Sequence, residues 1–327
     1  MTTALGRSRA ARDAGRLAAL LLSPTFVVLG LVVGYPLVAA LRESLYQAGQ
    51  TVDADGFVVP GDQFVGVNNY TGVFNGPAAA DFWNAFGNTT FFTVATVSVE
   101  VVIGVAMALV MHQALRWRGL VRASILVPWA IPTAVSAILW RWIFQADGVA
   151  NAIIGNQVLW TTEGWHAKFA VMIADTWKTA PFIGLLVLAG LQVIPKDVYE
   201  AARVDGASPA RQFWSITLPL VRPVLVVAVL FRVLDSLRMF DLPFVLIGSD
   251  KKSVETLTML AFKEASNLRF GPAAAYATIL FVYVAVVALV FVKVLGADVI
   301  GEARDRTKQQ RARRTRRPVV AREVVPA

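Results

Sequence analysis

Six long apolar runs constrain this chain more than any other feature of its sequence. A helix needs about 20 mainly apolar residues to cross a bilayer core about 30 Å thick. Hydrophobic residues fill 56% of the 327 positions and charged residues only 16%, which excludes an ordinary soluble domain of this size. The sequence therefore predicts an all-α membrane protein with six transmembrane helices, near residues 18–42, 89–111, 122–145, 168–194, 222–246 and 272–296.

The distribution of Lys and Arg predicts the side of the membrane on which each connection lies. The side that holds both termini carries twenty of these residues, whereas the opposite side carries four. Positively charged connections stay in the cytoplasm. We therefore expect both termini in the cytoplasm, with the first apolar run retained as a helix because it is too long for a signal peptide.

Three regions follow from this topology. Residues 1–17 form a basic cytoplasmic N-terminus, residues 18–296 form the six-helix domain with a cytoplasmic loop at 195–221, and residues 297–327 form a basic tail. The tail has no aromatic residue, so we expect it to be disordered. A basic segment beside a membrane helix binds anionic lipids, and this reading is favoured over nucleic-acid binding.

The loop at 195–221 contains strong local signals for two helices. Pro195 can start the first helix, Gly206 can end it in the left-handed conformation, and Ser208 can cap a second short helix that begins at Pro209. Pro219 then marks the return to the membrane. The loop has an apolar face that needs a surface to cover it, and either lipid headgroups or a partner protein satisfies that need.

The same loop resembles the signature of ABC importer permeases. That signature is an EAA triplet, a glycine four residues later, nine further residues and then I-x-L-P. In that family the loop is the coupling helix that fits a cleft on the ATP-hydrolysing subunit. The resemblance implies that this contact is made here by Glu200, Ala201, Ala202, Asp205, Gly206, Ile216, Leu218 and Pro219.

Further strings resemble the carbohydrate permeases of the maltose-importer class, first-subunit type. They are GYPLVAALRESLY, FVGVNNYTGVF and FGPAAAYATILFVYVAVVALVFVKVL, and the string DTWKTAPFIGLLVLAGLQVIP is similar to trehalose-importer permeases of mycobacteria. The resemblance implies a bacterial inner-membrane subunit with two ATPase partners, a second permease and an extracytoplasmic sugar-binding protein.

The chain has no G-x-x-x-x-G-K-[ST] motif, which is the loop that binds nucleotide phosphates. We therefore expect no cofactor in this chain, and ATP with magnesium on the partner ATPase.

Charged residues inside the predicted spans are the candidates for a substrate path. Each costs about 2.5–3.5 kcal/mol at mid-bilayer, so each should face an aqueous path or an opposite charge, and both readings stay open. Four acidic and three basic groups nearly balance, which favours a neutral sugar over glycerol phosphate. Two deep tryptophans join the set, either as packing residues or as sugar contacts. The candidates are Glu100, Trp129, Asp175, Trp177, Lys178, Arg232, Asp235, Arg238 and Asp241.

Two other functional classes were weighed against the importer. A proton-coupled secondary carrier would use Glu100 or Asp175 as its proton site. A membrane enzyme has little support, because no catalytic constellation occurs in the sequence. A metal site is not expected, since His112 and His166 lie at opposite membrane faces.

Overall fold

The computed structural model describes residues 2–52, 58–113 and 116–315, which are almost entirely helical. Two of the helices are linked to the next helix by a π-helical turn, at Gly30–Gly34 and Phe213–Thr217. The helices are α1 (Thr2–Leu29), α2 (Tyr35–Glu43), α3 (Asn68–Asn75), α4 (Ala79–His112), α5 (Arg118–Ala130), α6 (Thr133–Ile143), α7 (Val149–Ile154), α8 (Trp165–Gln192), α9 (Lys196–Val204), α10 (Pro209–Gln212), α11 (Leu218–Ser236), α12 (Asp241–Leu246), α13 (Leu257–Ser266) and α14 (Phe270–Thr315).

Five helical segments in the described part of the chain are long and apolar enough to cross a membrane. They are Gly15–Glu43, Ala79–His112, Trp165–Gln192, Pro209–Ser236 and Phe270–Val294. Five of the six predicted runs thus coincide with a candidate span. The third run, 122–145, corresponds to α5 and α6, which meet at 96° and make a sixth span only if the bent pair is counted as one.

The break between α5 and α6 lies at Ile131 and Pro132. Pro132 has no N–H to donate, and Ile131 is extended, with φ −75° and ψ 134°, as expected for a residue before proline. Pro128 and Pro181 lie inside α5 and α8, whereas Pro132 lies at the 96° break.

The fifth predicted run, 222–246, is not one continuous helix. The helix α11 ends at Ser236, and the short helix α12 begins at Asp241. Pro243 lies in the first turn of α12, where proline is tolerated. Arg238 and Asp241, which were predicted to lie within a span, therefore lie at and beyond its end.

The last helix extends further than the sequence predicted. The helix α14 continues to Thr315, so residues 297–315 are helical, and the expectation of a disordered tail is wrong for them. This stretch is rich in Ala, Arg, Gln, Glu and Lys, which are strong helix formers, and no proline interrupts it before Pro318. The remaining tail, 316–327, lies outside the described residues.

The chain divides into two compact units, and the smaller one contains the connection between the first and second candidate spans. This unit comprises residues up to Ala85 together with Leu257–Phe281. Its two strands, β1 (Tyr46–Val52) and β2 (Val58–Phe64), form an antiparallel hairpin that the sequence did not predict. Asn69 Nδ2 fastens the start of this hairpin by donating to Ser44 O at 2.8 Å and to Tyr46 O at 2.9 Å.

The larger unit comprises Phe86–Thr256 and Val282 onward, and α8 lies at its centre. Most residues of α8 are buried, and they pack against α4, α5 and α11. The backbones of α4 and α8 approach closely at Gly104, where a Cβ atom would lie 2.7 Å from Ile183 Cβ and 3.0 Å from Ala180 O. Small residues at such crossings let membrane helices pack closely.

This close approach makes Gly104→Ala destabilising. The added methyl group would overpack the α4–α8 contact, at a cost of about 1–3 kcal/mol. We expect the purified protein to lose thermal stability, measured as a lower Tm in detergent. Gly87→Ala on the same helix is the matched control, because a Cβ there meets nothing within 4 Å and its Tm should not fall. Equal loss in both variants would contradict the close-packing interpretation.

Candidate functional site

Four charged residues from three helices of the larger unit form one buried cluster. Glu100 lies on α4, Asp175 on α8, and Arg232 and Asp235 on α11. Arg232 Nε donates to Glu100 Oε2 at 2.7 Å, and its Nη2 donates to Glu100 Oε1 at 2.9 Å and to Asp175 Oδ2 at 3.0 Å. Its Nη1 donates to Asp235 Oδ2. One guanidinium therefore joins α4, α8 and α11.

The cluster is buried enough for its pairing to matter. Glu100 is 0% exposed, Arg232 3% and Asp175 6%, whereas the carboxylate of Asp235 is 66% exposed. A buried charge is costly unless it is paired and its hydrogen bonds are satisfied, and the bidentate Arg–Glu geometry meets both conditions. Thr179 Oγ1 adds a hydrogen bond to Glu100 Oε1 at 2.7 Å. Asp235 is the member of the cluster whose carboxylate reaches an open space.

Lys178 lies beside this cluster, but its hydrogen bond is made to a residue outside it. Its Nζ donates to Ile131 O at 2.8 Å, at the break between α5 and α6. Arg232 pairs with Asp235, three residues further along its own helix, and the ion pair of Asp175 is also formed with Arg232.

The two deep tryptophans have different surroundings. Trp177 packs edge-to-face on Trp140 with ring centroids 5.7 Å apart, which is the packing role weighed from the sequence. Trp129 lies 5.8 Å from Phe182 and remains 45% exposed. Trp129 is therefore the more exposed of the two.

A cavity of about 180 Å³ brings most of the candidate residues together. Seven of the nine line it, whereas Glu100 lies behind Arg232 and Trp177 does not line it. Sequence reasoning missed Thr179 and Ser236, although each lies four residues after a candidate on the same helix and thus on the same face. Ser236 Oγ is buried and has no hydrogen-bond partner among the described residues. The candidate residues lining the cavity are Trp129, Asp175, Lys178, Arg232, Asp235, Arg238 and Asp241.

The loop at 195–221 has the local geometry that its sequence predicted. Gly206 has φ +76°, and the backbone bonds from Gly206 N to Arg203 O and from Ala207 N to Ala202 O close a Schellman motif at the end of α9. Ser208 Oγ accepts a hydrogen bond from Arg211 N at 3.3 Å and caps α10. The first helix and its tight turn therefore form as expected.

Two details of the loop differ from the prediction. Pro195 is the residue before the first helical position of α9 instead of its first residue. The second helix is not short and separate, because α10 continues through the π-helical turn into α11 as one segment, Pro209–Ser236. Pro219 accordingly lies inside this continuous segment, directly after the π-helical turn.

The signature residues of the loop lie on its accessible side. Glu200, Asp205 and Gly206 are exposed, and the aromatic Trp214 is 67% exposed. Tyr199 Oη lies 3.1 Å from Thr217 Oγ1, which fastens α9 to the start of α11. A groove of about 950 Å³ is lined by Lys196, Tyr199, Glu200, Arg203 and Phe213, among other residues. The loop thus presents a concave surface that this chain does not itself fill.

Comparisons with known proteins agree with this architecture. Residues 100–300 match the family model described as "Binding-protein-dependent transport system inner membrane component". The chain is 38% identical over 285 residues to the trehalose/maltose transport system permease protein of Thermococcus litoralis, covering 85% of this chain and 93% of that protein. It is 35% identical over 290 residues to the trehalose transport system permease protein of Mycobacterium tuberculosis, covering 88% and 91%.

A solved structure supports the fold. The crystal structure of a bacterial ABC transporter involved in the import of the acidic polysaccharide alginate superposes with a TM-score of 0.72 at 19% identity, covering 86% of this chain and 96% of that chain. The family match and the relatives, together with the helical spans, define a membrane transport component. The chain belongs to the family of binding-protein-dependent transport system inner membrane components, the permeases of ABC importers.

The buried guanidinium yields a direct prediction. Arg232→Met leaves two buried carboxyl groups without their cation, and breaking a buried pair in this way costs about 3–5 kcal/mol. We expect a large fall in the Tm of the purified permease, and a partial recovery in the double variant Arg232→Met/Glu100→Gln. The control is Arg238→Met on the exposed side chain, which should change the Tm little. An Arg232→Met protein as stable as the wild type would refute the structural role of the cluster.

Proposed function

We propose that this chain forms, with a second permease, the translocation path of an ATP-driven importer for a neutral sugar, with a trehalose-like disaccharide favoured. The observation that carries the proposal is the engagement of Arg232 by three carboxyl groups at the wall of the cavity. Both of the relatives described above are named for trehalose transport, which supports the same choice.

The charges of the cavity argue against an anionic substrate. Phosphate recognition uses arginine N–H groups that converge on the ligand, usually in a bidentate manner. Arg232 directs these groups at Glu100, Asp175 and Asp235, and Lys178 donates to a backbone carbonyl. Glycerol phosphate, the alternative substrate, would need these cations to be available. The cavity lining instead carries three carboxyl groups and three cations, a balance that suits a neutral sugar, whose hydroxyls both donate and accept hydrogen bonds.

The remaining lining groups are those that a neutral sugar uses. Sugar sites combine an aromatic ring face with a few polar groups that fix orientation. Trp129 supplies the ring face, Asp235 supplies an exposed carboxylate, and Ser236 Oγ supplies a buried hydroxyl with no partner among the described residues. A second permease would close the path and add further contacts.

An uptake panel tests the substrate class. Cells that lack this protein should lose uptake of radiolabelled trehalose or a related neutral disaccharide, and a plasmid copy should restore it. Uptake of glycerol phosphate should be unchanged, because the cavity offers no free pair of arginines. Loss of glycerol phosphate uptake alone would refute the neutral-sugar proposal.

The cytoplasmic loop is the proposed contact with the energy source. We propose two ATPase subunits, which would hold ATP and magnesium, as the partners of the loop. They would bind the surface formed by the signature residues of α9, the turn and the start of α11. An extracytoplasmic binding protein would deliver the sugar on the opposite side. The loop's exposed apolar residues and its groove support this assignment. It also agrees with the excess of Lys and Arg, which favours cytoplasmic termini, and with a basic tail at the anionic lipid surface.

Gly206 provides a test of this contact. Gly206→Val forces a branched side chain into the left-handed conformation at the tip of the loop, so the loop must change shape. We expect the protein to insert into the membrane but to lose nearly all sugar uptake and to retain less ATPase on co-purification.

The matched control for this variant is Gly155→Val at the end of α7. Gly155 has a similar φ of +71°, and a Cβ at either glycine meets nothing within 4 Å. The control therefore imposes the same backbone strain away from the loop and should retain both uptake and ATPase. Normal uptake with Gly206→Val, or equal losses in the two variants, would contradict the coupling assignment.

A further inference from the structure

Lys178 is a buried cation for which the charge cluster gives no role. It is 8% exposed, and its Nζ donates to the carbonyl of Ile131 at 2.8 Å. Ile131 lies on a different part of the chain, at the break where α5 and α6 meet at 96°. A lysine on α8 thus contacts the backbone at the sharpest bend among the candidate spans.

The physics of the break explains why a cation is stable there. Ile131 lies just past the end of α5 in an extended conformation, so its carbonyl group has no partner within that helix. The carbonyl oxygen carries a partial negative charge, and the following residue, Pro132, has no N–H to donate. In the membrane, water does not compensate for such groups unless a cavity admits it. The ammonium of Lys178 supplies both a proton donor and an opposite charge.

The break also determines where Trp129 lies. Trp129 is in the last turn of α5, two residues before Ile131, and it lines the same cavity as Lys178. The bond from Lys178 Nζ to Ile131 O ties the end of α5 to α8 two residues from this ring, beside the contact of Trp129 with Phe182 of α8. Loss of this bond would release the end of α5 and change the position of the ring.

We propose that Lys178 is a positioning residue: its bond to Ile131 O holds the α5–α6 break and thereby keeps Trp129 at the wall of the sugar path. The role of Trp129 in the sugar path rests on the proposed function. The effect of Lys178 on the α5–α6 break does not depend on it. In this reading Lys178 acts through the backbone of α5 and not by contact with the sugar.

The angle of the break is measured directly by spin labelling. The chain contains no cysteine, so Leu120→Cys on α5 and Trp142→Cys on α6 give two unique labels at exposed positions. The distance distribution between them, measured by pulsed EPR on the assembled transporter, reports the bend. We expect Lys178→Met to shift or broaden this distribution and Lys178→Arg to restore it. If Lys178→Met does not assemble, Lys178→Gln replaces it, since a neutral amide lacks the charge that opposes the helix end.

Lys168→Met is the matched control, because Lys168 lies on the same helix and its Nζ also donates to an amide oxygen, Asn88 Oδ1 at 2.9 Å. It is far from the break, so the distance distribution should remain that of the wild type. An unchanged distribution with Lys178→Met, or the same change with Lys168→Met, would overturn the proposal. This measurement needs no transport, so it stands even if the wild type carries no neutral sugar and the proposed function fails.

Sugar uptake in proteoliposomes with the full complex separates positioning from direct contact. We expect Lys178→Met to lower uptake by roughly tenfold, equivalent to about 1.4 kcal/mol. If Lys178 acts through the ring, Lys178→Met adds little further loss in a Trp129→Ala background, because the two changes remove the same contact. Full additivity of the two losses would show that Lys178 contacts the sugar independently, and would overturn the positioning role.

Discussion

The packing of the larger unit depends on one guanidinium. Arg232 on α11 is bonded to Glu100 on α4 and to Asp175 on α8, and these partners are almost fully buried. A buried ion pair contributes little to the net stability of the fold. It favours one arrangement of the helices over others, because separating the charges inside the protein costs a large free energy. The cluster therefore restricts how the three helices can be placed. The cavity is built on the exposed side of the same cluster, where Asp235 reaches open space.

The bent pair α5–α6 shows a second constraint of the membrane environment. A helix that breaks inside a span leaves backbone groups without partners, and such breaks occur only where protein or a water-filled cavity satisfies them. Here Lys178 satisfies the carbonyl at the break, and the neighbouring space is the cavity. The irregular end of α11, with Arg238 and Asp241 beyond it, lines that cavity as well. Irregular backbone and polar lining thus occur together, as expected of a transport path.

Local chemistry was sufficient to predict the turn and the helix cap in the loop at 195–221. The left-handed Gly206 and the cap at Ser208 depend on neighbouring residues only, and both are present. The π-helical turn and the continuous Pro209–Ser236 helix were not predicted, because prolines mark where a helix is weakened and not whether neighbouring packing preserves it. The hairpin of β1 and β2 was likewise missed, since the search for long apolar runs is insensitive to short paired strands.

The sequence by itself determined the number and order of the apolar segments, the residues that a membrane helix must not leave unpaired, and the family signature in the loop. These follow from hydrophobicity, charge and local spacing, which require no knowledge of the neighbouring helices. Only the tertiary structure decided that Arg232 forms ion pairs with Glu100 and Asp175 on other helices. It also decided that Lys178 donates its hydrogen bond to the carbonyl of Ile131. The reason is that depth in the membrane can be read from one helix, whereas the partner of a buried charge depends on which helix faces it.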